Sequence, residues 1–203
     1  MEREVLEFDV QFVGAGPAGL AGAIHLADLV AAHDAKVAAG APGERLGEVS
    51  IAVLEKGRSA GAHGLSGAVL DPRALDALVP DWRARGFPPA PPVAGDDVYF
   101  LRADGQFRLP WLPPLLQNHG HVVVSLGRMV EWLAAIAEEK GVLLVTETAA
   151  VEPLLEDGRL AGVRTGDKGV DKRKQPKPNF QPGADCRAKA TVLCEGPRGT
   201  LTK

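Results

Sequence analysis

The feature that most constrains the fold of this chain is a short glycine-rich segment near its N-terminus. Residues 14–19 read Gly-Ala-Gly-Pro-Ala-Gly, which matches the pattern G-x-G-x-x-G. The apolar run at residues 8–13 predicts a strand before it, and apolar residues at helical spacing predict a helix after it. A strand, a glycine turn and a helix in this order are typical of a β-α-β unit that binds a dinucleotide.

Each glycine of the motif has a physical role in such a unit. Gly14 allows a tight turn, Gly16 lets a pyrophosphate approach the backbone, and Gly19 allows the helix to pack closely on the strand. Pro17 suits the first helical turn, where its missing N–H is not needed. The helix N-terminus then offers unpaired N–H groups to the phosphates.

An acidic residue follows the second predicted strand, residues 50–54. Glu55 is placed to accept hydrogen bonds from ribose hydroxyls, and its charge would repel a 2′-phosphate, so FAD or NAD is expected rather than NADP. Glu55 lies 41 residues after Gly14, whereas the usual interval is about 20. We attribute the excess to a surface insertion at residues 33–49, whose residues 34–48 are expected to form a loop.

The remaining pattern predicts a mixed α/β chain. Four prolines within residues 86–95 predict an extended connection. The other predicted elements are a helical turn within 72–82, a hairpin of 98–101 with 106–109, a helix from Ser125 to Gly141, a strand at 142–146, a hairpin of 151–155 with 159–165, and a buried strand at 190–194.

Composition excludes several classes of protein. The 203 residues are 45% hydrophobic and 24% charged, as in ordinary globular proteins, and a net charge of -3 gives no sign of a nucleic-acid partner. No apolar stretch reaches about 18 residues, so we expect neither a signal peptide nor a spanning helix. The only cysteines, Cys186 and Cys194, cannot form a four-cysteine metal site, and no metal ligands are predicted.

A second glycine-rich stretch narrows the class of protein. "GAHGLSGAVLDPRALDALVPDW", which begins at Gly61, resembles the flavin-proximal loop of the electron-transfer flavoprotein–ubiquinone oxidoreductase family. "NHGHVVVSLGRMVEWLAAIAEEKGV", "TGDKGV" and "PKPNFQPGADCRAKATVLCEGPRGTLTK" resemble later segments of that family in the same order. The resemblance implies an α/β fold: a Rossmann-like FAD-binding domain of the glutathione-reductase type, with an inserted, incomplete β-rich part.

The resemblance also implies which residues bind FAD. Those near the pyrophosphate are Gly14, Gly16, Pro17, Ala18 and Gly19; those near the adenosine half are Glu55, Lys56 and Ala150; those along the ribityl chain and isoalloxazine are His63, Ser66 and Gly67; and Glu195 and Gly196 end the closing strand near the cofactor. No catalytic acid, base or nucleophile is expected, because the flavin carries the redox chemistry.

The reaction implied by the resemblance is that of an electron-transferring-flavoprotein dehydrogenase. Such an enzyme takes electrons from reduced electron-transfer flavoprotein and passes them to ubiquinone. The family also holds one 4Fe-4S cluster on four cysteines of its C-terminal region, which this chain does not supply. Because a predicted strand and turn are followed at once by the last residue, Lys203, we expect an N-terminal fragment that is inactive in isolation.

The segment "FRLPWLPPLLQ", residues 107–117 (the apolar loop), has an unusual composition. Its prolines exclude a regular helix, and so many apolar side chains in a loop must be buried in a core or meet an apolar surface. In the resembled family the matching segment helps form the membrane-facing surface near the quinone entrance. This implies peripheral, monotopic contact with the cytoplasmic face of a membrane, with Trp111 near the interface.

The predicted organisation has three parts. Residues 1–85 form the first part of the FAD-binding domain, 86–120 form an inserted hairpin and apolar loop on the quinone and membrane side, and 121–203 continue the FAD-binding domain. Two alternatives stay open: another flavoprotein of the same fold, such as a geranylgeranyl-reductase-like or hydroxylase-like protein, and a non-catalytic dinucleotide-binding fragment.

Overall fold

The computed structural model describes residues 3–64, 67–171 and 175–202. It divides into two compact units, the first formed by Met1–Gly64 with Val130–Lys203 and the second by Leu65–Met129. The three domain ranges predicted from the sequence stay predictions.

Twelve strands and three α-helices lie in the described part of the chain. In chain order the strands are β1 (Val5–Val13), β2 (Ile51–Leu54), β3 (Ala68–Leu70), β4 (Tyr99–Arg102), β5 (Gly105–Arg108), β6 (Val122–Val124), β7 (Leu143–Val145), β8 (Ala150–Glu156), β9 (Arg159–Thr165), β10 (Lys168–Val170), β11 (Pro176–Gln181) and β12 (Asp185–Leu193). The helices are α1 (Pro17–Ala38), α2 (Arg73–Leu78) and α3 (Leu126–Glu139).

The first unit is built on a six-stranded sheet with the order β7-β2-β1-β12-β9-β8. The first four strands are parallel, while β9 is antiparallel to both β12 and β8. All four residues of β2 are buried, as expected for a parallel strand covered on both faces. From β1 the chain passes to β2 on one side, whereas β12 lies on the other, so the sheet has its topological switch point at the end of β1.

Helix α1 packs on this sheet through a narrow apolar face. Its buried residues include Leu20, Ala23 and Ile24. Gly22 faces the ring of Phe12, since a Cβ built on Gly22 would lie 2.7 Å from Phe12 Cε1. The helix therefore approaches β1 more closely than larger side chains would permit.

The prediction that residues 34–48 form a loop is wrong for the last turn of α1, which continues to Ala38. The physical reason is the carboxylate of Asp34, a largely buried group that accepts N–H bonds from Leu46 at 2.7 Å and Gly47 at 3.0 Å. These bonds bring the insertion back onto the helix. Because they join residues a dozen positions apart, local sequence pattern does not reveal them.

A polar residue lies at the centre of the sheet. Gln11 is fully buried on β1, and its Nε2 donates to Thr191 Oγ1 at 2.9 Å and to the Cys186 carbonyl at 3.2 Å. Its Oε1 has no hydrogen-bond partner within the described residues. The neighbouring Cys186 thiol is also buried, which raises its pKa to about 11.

The second unit contains two small antiparallel ribbons, β3 with β6 and β4 with β5. Between them, α2 is followed by a buried tryptophan: Trp82 Nε1 donates to Asp76 Oδ1 at 2.7 Å. The Trp82 ring meets Phe87 edge-on at a centroid distance of 4.6 Å, and the Arg83 guanidinium lies 4.0 Å above it. These contacts fix the turn that follows α2.

Several predicted elements are confirmed with shifted ends. The hairpins β4–β5 and β8–β9 form as predicted, the second through Asp157 and Gly158, which both have positive φ. Strands β1 and β12 begin earlier than predicted, at Val5 and Asp185, because they pair with each other along their whole lengths. The helix expected from Ser125 is α3, and Gly141 follows its end with a φ of 82°.

Two pairs of short strands were not predicted. Strands β3 and β6 have three residues each and pair across more than fifty positions. Strand β11 contains two prolines, a composition that argues against a strand, yet it pairs with β10. Among the described residues no helix is both long enough and apolar enough to cross a membrane.

We predict that Gly19→Ala destabilises the first unit, whereas Gly16→Ala leaves its stability nearly unchanged. A Cβ on Gly19 would lie 2.0 Å from the carbonyl oxygen of Gly14, while a Cβ on Gly16 would meet no atom within 4 Å. Overpacking against backbone costs about 1–3 kcal/mol or more, against about 0.5 kcal/mol for an open surface position. Urea unfolding of both variants measures the difference, and equal midpoints would contradict the close approach of α1.

Candidate dinucleotide-binding site

The glycine motif forms a turn at the carboxyl edge of the parallel strands. Gly14 follows β1 with a φ of 109°, and its N–H donates to the Leu54 carbonyl at the end of β2, at 2.8 Å. On its other side, a Cβ built on Gly14 would lie 2.5 Å from the carbonyl oxygen of Cys194, directly after β12. Only glycine has both the backbone freedom and the absence of a side chain that this position requires.

The N-terminus of α1 opens beside this turn. Gly16 is the N-cap residue, Pro17 is the first helical residue, and no acidic side chain lies in the first turn. The first N–H groups of a helix lack intrahelical partners, and the helix dipole gives this end a partial positive charge. With open space beside Gly16, this arrangement is suited to binding a phosphate or pyrophosphate group.

Glu55, directly after β2, has a largely buried carboxylate that accepts two main-chain hydrogen bonds. Its Oε2 accepts the Ala15 N–H at 3.0 Å and its Oε1 accepts the Gly57 N–H at 2.6 Å. The Glu55 side chain is only 12% exposed. A carboxylate offers about four acceptor positions, so two remain for hydroxyl donors. Glu55 therefore links the glycine turn to the segment after β2, a role that the sequence did not reveal.

The segment after β7 extends the sheet edge next to Glu55. Thr148 N–H donates to the Glu55 carbonyl at 2.8 Å, and Glu147 N–H donates to the Gly57 carbonyl at 2.7 Å. Lys56, between these two carbonyls, is exposed. Ala150, the residue expected to offer backbone to adenine, begins β8 shortly afterwards. The predicted adenosine-side residues thus follow the ends of neighbouring strands.

His63 lies beside the same carboxylate. Its Nδ1 is 3.7 Å from Glu55 Oε1, and its side chain is 62% exposed. The interval is too long for a hydrogen bond and the exposure limits the energy of an ion pair. The predicted contact of His63 with the ribityl chain or isoalloxazine stays a prediction. Ser66 lies outside the described residues, and Gly67, with a φ of 81°, belongs to the second unit.

Glu195 and Gly196 follow β12, where the backbone of Glu195 lies close to Gly14. The Glu195 carboxylate accepts N–H bonds from Thr200 at 2.9 Å and Leu201 at 3.0 Å. Gly196 has a φ of 75° and starts the 3-10 turn Gly196–Arg198. The side chain of Glu195 therefore stabilises the turn after the strand, while its main chain lines the glycine turn.

No alternative redox or metal group is evident in this region. Burial raises the pKa of the Cys194 thiol above its ordinary value, as it does for Cys186, so both are protonated at neutral pH. Within the described residues, no three His, Cys, Asp or Glu side chains are grouped so that they could hold a metal ion. The features of the site are main-chain N–H groups, one carboxylate and open space.

The second unit carries the other predicted functional segment, the apolar loop. Trp111 is 68% exposed and Leu115 is 93% exposed, so these side chains do not pack into a core. The hairpin before them adds further exposed apolar side chains, which the sequence reasoning did not single out: Tyr99, Phe100 and Leu101. These three residues are consecutive in β4, and their sequence alone does not distinguish an exposed surface from a strand that packs into a core.

Comparison with curated proteins identifies relatives over the whole chain. The electron transfer flavoprotein-ubiquinone oxidoreductase of Pseudomonas aeruginosa is 45% identical over 208 residues, which cover 100% of this chain and 36% of that protein. The mitochondrial proteins of the same name from Bos taurus and Homo sapiens are 41% and 40% identical, again over 100% of this chain and 31% of theirs. The chain thus spans about a third of the length of these relatives. No protein-family model matches it.

Solved structures confirm the predicted fold class. The myxobacterial FAD-dependent halogenase CndH superposes with a TM-score of 0.61 at 17% identity, over 97% of this chain and 39% of that one. A geranylgeranyl bacteriochlorophyll reductase-like protein from Thermoplasma acidophilum gives 0.57 at 17% identity, over 93% and 39%. The flavin-dependent monooxygenase PieE, solved with FAD and substrate, gives 0.58 at 15% identity, over 96% and 31%.

At such identities the structural likeness establishes the fold alone: a mixed α/β flavoprotein fold with a parallel, Rossmann-type sheet. The sequence relatives carry the family. Over its whole length the chain therefore belongs with the N-terminal third of the electron transfer flavoprotein-ubiquinone oxidoreductases, the family that its sequence predicted.

Proposed function

We propose that this chain is the N-terminal part of the FAD-binding domain of an oxidoreductase that accepts electrons from reduced electron transfer flavoprotein and passes them to ubiquinone. The observation that carries the proposal is the open glycine turn between the ends of β1, β2 and β12, beside the N-terminus of α1. Homology over the whole chain supplies the family, and the donor and acceptor follow from the names of the relatives.

The residues present fit FAD. Gly16 leaves space where the pyrophosphate would approach, and the turn from Gly14 to Gly19, including Pro17 and Ala18, presents main chain rather than side chains. Glu55 retains acceptor capacity for the adenosine ribose, and its charge disfavours a 2′-phosphate. Bound FAD would supply the electron-transfer chemistry, while the chain's own residues bind it and orient it.

The other predicted contacts remain part of the proposal. Lys56 and the backbone of Ala150 would flank the adenosine half, and Glu195 and Gly196 would approach the cofactor through main chain. His63, Ser66 and Gly67 would contact the ribityl chain and isoalloxazine. We assign no residue as a general acid or base.

The residues of this chain do not fit an iron–sulfur cluster. A 4Fe-4S cluster requires four thiolate ligands, whereas the chain has two cysteines, whose pKa values are raised by burial. We therefore derive no step through a cluster for these residues. Any such group would belong to the part of the family protein that this chain does not span.

We also propose that the apolar loop contacts a membrane surface peripherally, on its cytoplasmic face. Trp111 and Leu115 are exposed side chains with no core to enter, and Leu116 is 43% exposed beside them. Such a cluster among prolines favours shallow insertion at the boundary of headgroups and acyl chains, with tryptophan at the interface. This contact would bring a ubiquinone reductase to its apolar substrate.

A non-catalytic dinucleotide-binding fragment is the second candidate. It is favoured by one observation, namely that the candidate site consists of main-chain N–H groups and one carboxylate, which are groups that bind a dinucleotide. This candidate shares the cofactor site with the first and differs in electron transfer. Reduction of bound flavin by reduced electron transfer flavoprotein, followed in a stopped-flow spectrometer, separates the two.

The first prediction from this proposal concerns Glu55. Glu55→Gln should weaken FAD binding about 10-fold to 100-fold, because one amide N–H would face the N–H of Ala15 or Gly57 and the charge toward the ribose would be lost. Titration of flavin fluorescence with the purified chain measures the affinity. Glu147→Gln is the matched control, since Glu147 is exposed and contributes its main chain to this edge. Equal losses in both variants would refute the role of Glu55.

The second prediction concerns the apolar loop. Leu115→Ser should reduce co-sedimentation with phospholipid vesicles about tenfold, because burying a leucine in an apolar phase contributes about 1.5–3 kcal/mol. The folding stability should change by no more than about 0.5 kcal/mol, since Leu115 is 93% exposed. Leu155→Ser, at a 64% exposed position of the first unit, is the control. Unchanged binding by the Leu115 variant would exclude the loop as the lipid contact.

A further inference from the structure

The apolar loop keeps its side chains exposed although nothing in the loop forms a core. Its internal bonds are few: the 3-10 turn Pro114–Leu116, and Gln117 Nε2 donating to the Leu112 carbonyl at 3.0 Å. A loop with so little internal structure would normally collapse onto its own apolar side chains. The contacts at its two ends explain how it stays open.

Two consecutive aspartates hold these ends. Asp97 Oδ1 accepts from Arg108 Nε at 2.8 Å, close to where the loop begins. Asp96 accepts both donors of Asn118, the residue directly after the loop: the main-chain N–H at 2.8 Å on Oδ2 and Nδ2 at 2.6 Å on Oδ1. Asn118 Nδ2 also donates to the Leu116 carbonyl at 3.3 Å, inside the loop.

The two contacts are not of equal importance. Arg108 and Asp97 have side chains that are 64% and 44% exposed, so their ion pair contributes little in water. The bonds between Asp96 and Asn118 are partly buried, and one of them satisfies a main-chain N–H. Donation from Asn118 lowers the pKa of Asp96 below its ordinary value, so this carboxylate is charged at neutral pH.

Residues 94–120, which include the hairpin β4–β5 and the apolar loop, form an excursion of the chain. The two segments that lead into and out of this excursion pair with each other. Val93 N–H donates to the His121 carbonyl at 2.9 Å, and Val123 N–H donates to the Pro91 carbonyl at 2.9 Å. Asp96 therefore closes the last bond of a ladder, at the point where the chain leaves regular pairing. Beyond this bond lie the hairpin β4–β5, which has its own ladder, and the apolar loop, whose exit at Asn118 is bonded to Asp96.

We propose that Asp96 is a positioning residue for the apolar loop. By holding Asn118, its carboxylate keeps the loop in an open shape that presents Trp111 and Leu115 before any lipid is met. A surface that is ordered in advance loses less conformational freedom on binding. The function of this closure rests on the membrane contact proposed above, whereas the closure itself is a property of the isolated chain.

The experiment compares Asp96→Ala and Asp96→Asn with Asp104→Ala in the 203-residue chain. Asp104 lies in the turn between β4 and β5 and is exposed, and its side chain has no hydrogen bond or ion pair within the described residues. Its variant therefore removes the same charge from the same excursion. Hydrogen–deuterium exchange is measured for the amides of residues 109–118 and, separately, of β3 and β6. Binding to phosphatidylcholine vesicles with a minority of anionic lipid is measured in parallel.

We expect about tenfold faster exchange in residues 109–118 of Asp96→Ala, with β3 and β6 unchanged. Asp96→Asn keeps one oxygen for the main-chain N–H of Asn118 and should lie between wild type and Asp96→Ala. Asp104→Ala should match wild type. Vesicle binding should weaken in the same order as exchange accelerates.

Three results would overturn the proposal: unchanged exchange in Asp96→Ala, equal acceleration in β3 and β6, or the same response from Asp104→Ala. The second of these would make Asp96 a general stabiliser of the unit. If exchange responds as expected but wild type does not bind vesicles, the closure by Asp96 is supported and the proposed membrane contact is refuted. The two proposals thus fail separately.

Discussion

The first unit depends on the close packing of main chain around Gly14, where there is no room for a side chain. The carbonyl of Cys194 approaches Gly14 from one side, and the carbonyl of Leu54 accepts the Gly14 N–H on the other. Gly19 of α1 packs against the carbonyl of Gly14. Three strand ends and a helix N-terminus therefore converge with no side chain between them. The close packing leaves no room for side chains at this point. The groups available to a ligand are therefore main-chain N–H groups and the positive end of the helix dipole, which favour an anionic dinucleotide.

Glu55 determines how this convergence is held. A turn made of glycine has no side chains with which to anchor itself, so the carboxylate at the end of β2 accepts its Ala15 N–H. The same carboxylate accepts the Gly57 N–H, and Thr148 binds the Glu55 carbonyl. One residue thus couples the phosphate side of the candidate site to the adenosine side, and a ribose bound there would meet a carboxylate that is already oriented.

The fold was predictable from sequence where its signals are local. The β-α-β unit, the hairpins β4–β5 and β8–β9 and the carboxylate after β2 follow from periodicity, turn residues and spacing within a few positions. What escaped prediction depends on partners far along the chain: the last turn of α1 is fixed by bonds from Asp34 to residues 46 and 47, and β3 pairs with β6 across more than fifty positions. In the candidate site, too, the local feature was predictable and the contacts were not: the sequence predicted Glu55 but not the two N–H groups whose hydrogen bonds it accepts.

Loops in both units are held by the same device, a carboxylate that accepts main-chain N–H groups. Asp34 fixes the insertion, Asp96 fixes the exit of the apolar loop, and Asp167 accepts the Gly183 N–H. Hydrogen bonds lower the pKa values of all three below the ordinary value for aspartate. A group with a depressed folded-state pKa stabilises the protein above its unfolded-state pKa, and this contribution is lost as the pH falls through the folded-state pKa. Protonation of these three carboxylates at low pH would therefore remove bonds that hold the insertion, the apolar loop and the segment at Gly183.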